Sequence, residues 1–390
     1  MITNIKTSIH HKKLILTLLL LTLLIVSLLV YYKVTTNNPN NNIDIDVGFI
    51  DEPVSLKNAV FVTSEKELIE AINNTLPNNN TTTTIALNND ILLTNELTIP
   101  TDKNITLTSN NNKQTTEYYK LIGIDCKNTI TVNTDGVLRL AGIIVSHKED
   151  TTGSGVHVEF KGTLILSYGK ISNNTASHGG GVFNEGTFIM FDGEISKNRA
   201  NSYSMYFGNG GSGGGVYNYG IFILTGGTIT NNGSNSASGG VDNFGSFIMT
   251  GSTITSNTAN GSGGVRNSGN FTMSGGEISN NTAYTYSGGG VGSNGNFTMT
   301  GGTITSNTAN DSGGGVCSSE PYKKVTPYVF DVVGGEIFNN TAKERGNDIY
   351  VTKLPRNYFG SFDVPWGVMW LSPQTPGSVN NKLLSYNHNS

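Results

Sequence analysis

Between Asn174 and Val316 the chain carries few groups able to do chemistry. The acids are Glu185, Asp192, Glu194, Asp242, Glu277 and Asp311, and the bases Lys197, Arg199 and Arg266. Hydrolysis of a glycosidic bond needs two carboxylates roughly 5–10 Å apart. The densest group is Asp192, Glu194, Lys197 and Arg199. Two acids at i and i+2 with bases beside them fit a cation or a uronic acid, and fit a solvated charged corner equally well. Asp242 and Arg266 read as a cross-strand ion pair. His178, beside Gly179 and Gly180, has no sequence neighbour of the kind a general base requires. Trp366 and Trp370 suit either stacking on sugar rings or capping of an apolar end. No metal-ligand spacing, nucleophile motif or phosphate loop is present, so neither a metal nor a cofactor is expected.

The elements that position these residues repeat. Gly-x-Ile tripeptides place isoleucines at Ile171, Ile195, Ile229, Ile254, Ile278, Ile304 and Ile337, with spacings of 24, 34, 25, 24, 26 and 33. Three residues after each isoleucine stands an asparagine: Asn174, Asn198, Asn232, Asn257, Asn281, Asn307 and Asn340. Gly-Gly-Val supplies a second column (Val182, Val216, Val241, Val265, Val291, Val316). Phe-x-Met/Leu/Val supplies a third, from Phe188/Met190 to Phe330/Val332. Fixed outer positions around a variable middle one are the mark of a strand with one buried face.

A unit of about 25 residues cannot bury a core alone, so successive units must stack. The expected fold is therefore all-β: a right-handed parallel β-helix of about 25 residues per turn, with Phe on Phe and Ile on Ile. Asparagine at the corners is expected to take the left-handed conformation and to hydrogen-bond its equivalents along the stack. Proline, which cannot donate to a ladder, is absent between Pro100 and Pro321.

Ahead of the repeats, residues 14–32 form an apolar run spanning about 28 Å as a helix, the thickness of a hydrocarbon core. Lys6, Lys12 and Lys13 precede it, so residues 1–13 are expected on the cytoplasmic side. A cleaved signal peptide would carry a shorter apolar region and a small-x-small site, and none follows Val30. Residues 14–32 thus read as a single-pass transmembrane signal-anchor, with the C-terminal body outside the cell. Residues 33–60 read as a linker, 61–352 as the solenoid and 353–390 as an apolar cap with a polar, frayed tail. Ser64-x-x-Glu67 is a capping box opening a short helix that plugs the N-terminal end, with an apolar stripe of Leu68, Ile69, Ala71 and Ile72. Cys126 and Cys317 lie about seven turns apart, too far to bond.

Charge is sparse (13 % Asp, Glu, Lys and Arg, net -4), which gives no reason to expect a nucleic-acid partner. The residue between Phe and Met/Leu should point outward, making Ile165, Ile189, Ile223 and Ile248 an apolar contact stripe that turns polar at Thr272 and Thr298. Burial of that stripe under the insertion at residues 201–212 is the alternative.

The repeat, seen in Gly227-Thr228-Ile229…Asn232 and Gly335-Glu336-Ile337…Asn340, resembles the repeats of chlamydial polymorphic membrane proteins. It is similar also to the Asn/Thr-rich adhesin-like surface proteins of methanogenic archaea, which have a pectate-lyase-like right-handed β-helix. The resemblance covers residues 84–352. It implies a cell-surface adhesin-like or cell-envelope binding protein without catalysis, whose partners are surface glycans, cell-wall polymer or proteins of other cells. The alternative within the same fold is a polysaccharide-active lyase or glycoside hydrolase.

Overall fold

The computed structural model describes residues 54–77, 82–110, 118–201, 211–285, 288–319 and 329–352, together with short strands at 33–34, 45–46, 369–371 and 384–386. Two units are separable, Met1–Pro53 and Val54–Ser390. In the first, Lys33–Val34 pairs antiparallel with Ile45–Asp46. Residues 14–32 lie outside the described residues. Among those described, no helix is long and apolar enough to cross a membrane.

The second unit is a parallel β-helix of the right-handed type, with about nine turns of about 26 residues. The three expected columns become ladders because one-turn spacing puts like on like. Phe188 pairs in register with Phe222, Phe222 with Phe247, Phe247 with Phe271 and Phe271 with Phe297. The first three of these ring pairs stack at 4.7, 4.9 and 4.5 Å. Ile195, Ile229, Ile254 and Ile278 form the next column, and Val182, Val216, Val241 and Val265 the third. All of these side chains are buried in one continuous core. A further ladder joins two-residue strands from Thr175–Ala176 to Thr341–Ala342. Between it and the valine strand, glycine is required by contact. A Cβ on Gly215 would meet the carbonyl oxygen of Gly240 at 2.7 Å, and no side chain fits there.

The corners depart from expectation by one residue. The positive φ values fall on Asn173, Lys197, Asn231, Ser256, Asn280, Ser306 and Asn339, at 54–58°. Each precedes the repeated asparagine, which instead turns inward and is buried. The left-handed residue makes the bend and is exposed enough to vary. The asparagine after it uses its amide on the stack, so its identity is fixed.

Both ends are closed. Helix Glu65–Asn74 is capped by Ser64, whose Oγ accepts from the Glu67 N–H at 3.3 Å, while Glu67 accepts from the Thr63 N–H at 2.6 Å. Leu68, Ala71 and Ile72 enter the core beside Val62 and Ile85, whereas Ile69 stays exposed, off the buried stripe. At the other end Ile349–Thr352 is covered by an antiparallel strand, Met369–Leu371. The tail is not frayed throughout, since Leu384–Tyr386 pairs antiparallel with the strand at Phe330. Cys126 and Cys317 are not disulfide-bonded.

Candidate functional site

The four isoleucines of the outward column pair in register, Ile165 to Ile189 to Ile223 to Ile248, then Thr272 and Thr298. They do not form one open stripe. Ile165 and Ile189 are each only 2 % exposed, while Ile223 and Ile248 are half-buried. At β spacing each outward side chain is flanked by its equivalents above and below, which removes much of its surface.

The charged corner does not converge either. Asp192 accepts from the next backbone N–H, of Gly193, at 2.7 Å. Glu194 reaches the preceding turn instead, pairing with Lys170 at 2.9 Å. Burial pushes the Glu194 carboxyl up. Hydrogen bonds from Ser196 and Lys170, with the charges of Lys170 and Lys197, outweigh that and hold it below the usual carboxylate range. Lys197 occupies a left-handed corner, and Arg199 is exposed on the two-residue ladder. Among the described residues no group of three His, Cys, Asp or Glu is placed to hold a metal ion.

A different cluster lies on the outer face of the valine sheet. Its strands read Val-x-Asn, or Val-x-Val at Val156–Val158, with the outer two residues inward and x outward. Down the stack the outward residues are His157, Phe183, Tyr217, Asp242 and Arg266, on five consecutive turns. The residue after each asparagine adds Glu185, Tyr219 and Phe244, and His178 joins from the glycine loop. The rings form one run. His157 stacks on Phe183 at 4.9 Å, and Phe183 lies 5.4 Å from Tyr217. Tyr219 stacks on Phe244 at 5.1 Å, and the Arg266 guanidinium sits over Phe244 at 5.2 Å. His178 packs on Tyr217 with ring centroids 4.9 Å apart, and burial pushes its ring below the ordinary histidine value.

His157 on Phe183 and Tyr219 on Phe244 are stacked face to face, whereas Tyr217 meets Phe183 and Phe244 at interplanar angles of 59° and 61°. Together these rings make an apolar ridge with polar tips. Tyr219 is exposed, and its hydroxyl lies 3.1 Å from that of buried Tyr217. Burial, then the neighbouring Tyr219 and Asp242, push the Tyr217 hydroxyl well above the usual phenol value. At one end His157 Nε2 meets Glu185 at 2.9 Å. At the other, Arg266 Nη1 donates to Asp242 Oδ2 at 3.2 Å, and Ser212 Oγ donates to the same oxygen. Asp242 is fully buried and its Oδ1 has no hydrogen-bond partner. Burial pushes its carboxyl upward against the opposing pull of Arg266 and Ser212.

Sequence reasoning found Asp242 over Arg266 but not the ridge. Following that column three turns back would have given Tyr217, Phe183 and His157. Fold and ridge together define a β-helix with one aromatic, arginine-ended face. No family model, curated protein or solved structure matches the chain.

Proposed function

We propose that this chain is a cell-surface binding protein of the adhesin-like kind. Residues 14–32 hold it in the membrane, and the solenoid outside contacts glycans, cell-wall polymer or proteins of other cells. The observation that carries this reading is the ridge from His157 to Arg266. Exposed Tyr219, half-buried Phe183 and Phe244, and a half-exposed Arg266 stand together on one face. Aromatic and arginine side chains held rigid before contact are the composition of binding hot spots. Stacking between turns fixes their rotamers, so little entropy remains to be lost on binding. Asp242 is sealed and Glu185 is engaged by His157, which favours binding over hydrolysis at the ridge.

The test uses the full-length chain in its membrane. Binding to a glycan array and to whole cells is compared for the parent, Tyr219→Ala with Phe244→Ala, and Ile248→Thr as a control on another face. Loss of binding in the double variant alone supports the ridge. Equal binding by all three would show that the contact lies elsewhere.

A further inference from the structure

Two asparagines stand side by side at several corners, and the fold gives them opposite duties. The second belongs to a buried ladder. Asn174 gives both its backbone N–H and its Nδ2 to Asn198 Oδ1, at 3.1 and 2.9 Å. The pattern continues through Asn232, Asn257, Asn281 and Asn307 to Asn340. All of these side chains are closed to solvent. The first asparagine of each pair makes the bend. Asn173, Asn280 and Asn339 have φ of 58°, 54° and 56°, and all three are exposed.

A third column completes a pattern. The residue two positions after the bend opens the two-residue ladder, which reads Thr175, Arg199, Gly233, Thr258, Thr282, Thr308 and Thr341 down the stack. Where the bend is asparagine and this residue threonine, the corner spells Asn-x-Thr, the acceptor sequence for N-linked glycosylation. That happens at Asn173, Asn280 and Asn339. It fails at Asn231, which Gly233 follows, and at Lys197, Ser256 and Ser306, where the bend is not asparagine. The bend itself does not demand asparagine, since lysine and serine hold the same backbone angle.

Asn-x-Thr or Asn-x-Ser also occurs elsewhere, and there the fold opposes a glycan. Asn232, followed by Gly233 and Ser234, is a ladder residue whose Nδ2 donates to the Ile195 carbonyl at 2.9 Å and to Asn257 Oδ1 at 3.0 Å. Thr75 and Thr106, the hydroxyl residues that go with Asn73 and Asn104, are buried. Asn260 and Asn310 hold Nδ2 against the carbonyls of Asn235 and Tyr284 one turn back, at 2.8 and 2.6 Å. Asn296 Nδ2 is bound to Asn270 Oδ1 at 2.9 Å. At the corners, by contrast, Nδ2 of Asn173 and of Asn280 meets the preceding serine Oγ at 3.4 Å, past the usual hydrogen-bond range.

We propose that Asn173, Asn280 and Asn339 are glycosylation sites, each carrying an oligosaccharide on an outer corner of the solenoid. This rests on the reading that the body lies outside the membrane, where a transferase meets the exported chain. The donor is an oligosaccharide on a polyprenyl phosphate or diphosphate lipid. Nδ2 forms a bond to the anomeric carbon and gives up one proton. The bond from that carbon to the phosphate oxygen breaks, and the lipid phosphate leaves with the electron pair. The three sites do not crowd one another. Asn173 and Asn280 stand four turns apart, roughly 19 Å, and Asn280 and Asn339 two turns, roughly 10 Å. None of the ridge residues from His157 to Arg266 is an asparagine, so the ridge itself carries no acceptor.

The experiment is peptide mass spectrometry of the full-length protein, purified from the membranes of the cells that make it. Proteolysis of intact cells establishes in parallel on which side the body lies. Peptides containing Asn173, Asn280 and Asn339 should carry added saccharide mass, and the peptide containing Asn231 and Asn232 should not. Asn280→Ser gives this corner the residue found at Ser256 and Ser306, so the fold tolerates it. That variant should lose one glycan and run faster on a denaturing gel, whereas Thr282→Ser keeps the acceptor sequence and should keep the glycan. Bare corners on a body that protease digests from outside would overturn this proposal and leave the surface reading standing. A glycan on buried Asn232 would overturn it as well. A body protected from protease would sink the surface reading and this proposal together.

Discussion

Asp348 receives both the backbone N–H and the side-chain Nδ2 of Asn340 on a single oxygen, Oδ1, at 3.1 and 3.0 Å. It thereby ends a ladder that began at Asn174. Neither residue has another turn beyond it to supply the next amide, so a side chain eight positions on in sequence folds back to take that place.

Replacing Asp348 with alanine should be expensive. Asn340 and Asp348 are both buried, so two donors would lose their acceptor where water does not reach. Each such loss costs about 1–3 kcal/mol. Asp348→Ala should lower the unfolding free energy by ~2–5 kcal/mol on that basis. Asp348→Asn keeps an oxygen in place and should lose far less. Urea unfolding of the three proteins checks this, and equal losses for Ala and Asn would mean that the carboxylate acts through its charge rather than as an acceptor.

The ladder shows how much of this molecule was legible in its sequence. Columns that repeat can be read because stacking imposes the same demand at every turn: Phe247 must fill the space between Phe222 and Phe271, and Asn257 must bridge Asn232 and Asn281. The left-handed corner was misplaced by one residue, since its occupants, Asn173, Lys197, Ser256 and others, share a backbone angle but no side-chain chemistry. The ridge was missed for the opposite reason. His157, Phe183, Tyr217, Asp242 and Arg266 occupy one column but are all different, and repetition is blind to a column whose members differ. Glu194 was grouped with Asp192 by sequence distance, whereas its partner, Lys170, is a full turn away.

The outward isoleucines should separate into two classes. Ile189 is buried on its outer side, and Ile248, two turns along, is half-buried. Ile189→Thr sets a hydroxyl in a closed site and should cost about 1–3 kcal/mol, in the range for burying an unpaired polar group. Ile248→Thr continues a column that already reads Thr272 and Thr298, and should stay within about 0.5 kcal/mol of the parent. Thermal unfolding of the two single variants checks the split. A large loss at Ile248 would show that this part of the face is core as well.

Asp242 should leave a signature in acid. Burial raises its carboxyl above the ordinary value, with Arg266 and Ser212 opposing. The folded chain therefore keeps this proton over a range above about pH 4 in which the unfolded chain has lost it. More protons on the native state means that stability declines as pH rises through that range. Asp242→Asn removes the titration, so the stability difference between parent and variant should move in the variant's favour as pH climbs from about 4. A difference that is flat with pH would mean that Asp242 is ionised throughout, its charge fully met by Arg266.

A second, shorter ladder offers a chance to improve the protein. Asn184 donates to Asn218 at 2.6 Å, Asn218 to Asn243 at 2.7 Å, and Asn243 to Asn267 at 2.8 Å, the last reaching Ser293 at 3.0 Å. At its first end Asn184 Oδ1 is buried and has no hydrogen-bond partner, and its neighbour in register on the preceding turn is Val158. Valine to threonine is ordinarily a poor exchange in a core despite the matching shape, because the hydroxyl goes unmet. At this position the new hydroxyl would face an acceptor already lacking a donor. Val158→Thr should therefore be neutral or stabilising by up to about 1 kcal/mol, the worth of one hydrogen bond. Val156→Thr is the control, since Val156 is equally buried but pairs with Val182, which offers no acceptor. It should lose about 1–3 kcal/mol, as an unmet buried hydroxyl does. Denaturant unfolding of both variants gives the answer: if they lose stability alike, threonine at position 158 does not reach Asn184, and the end of this ladder is met in some other way.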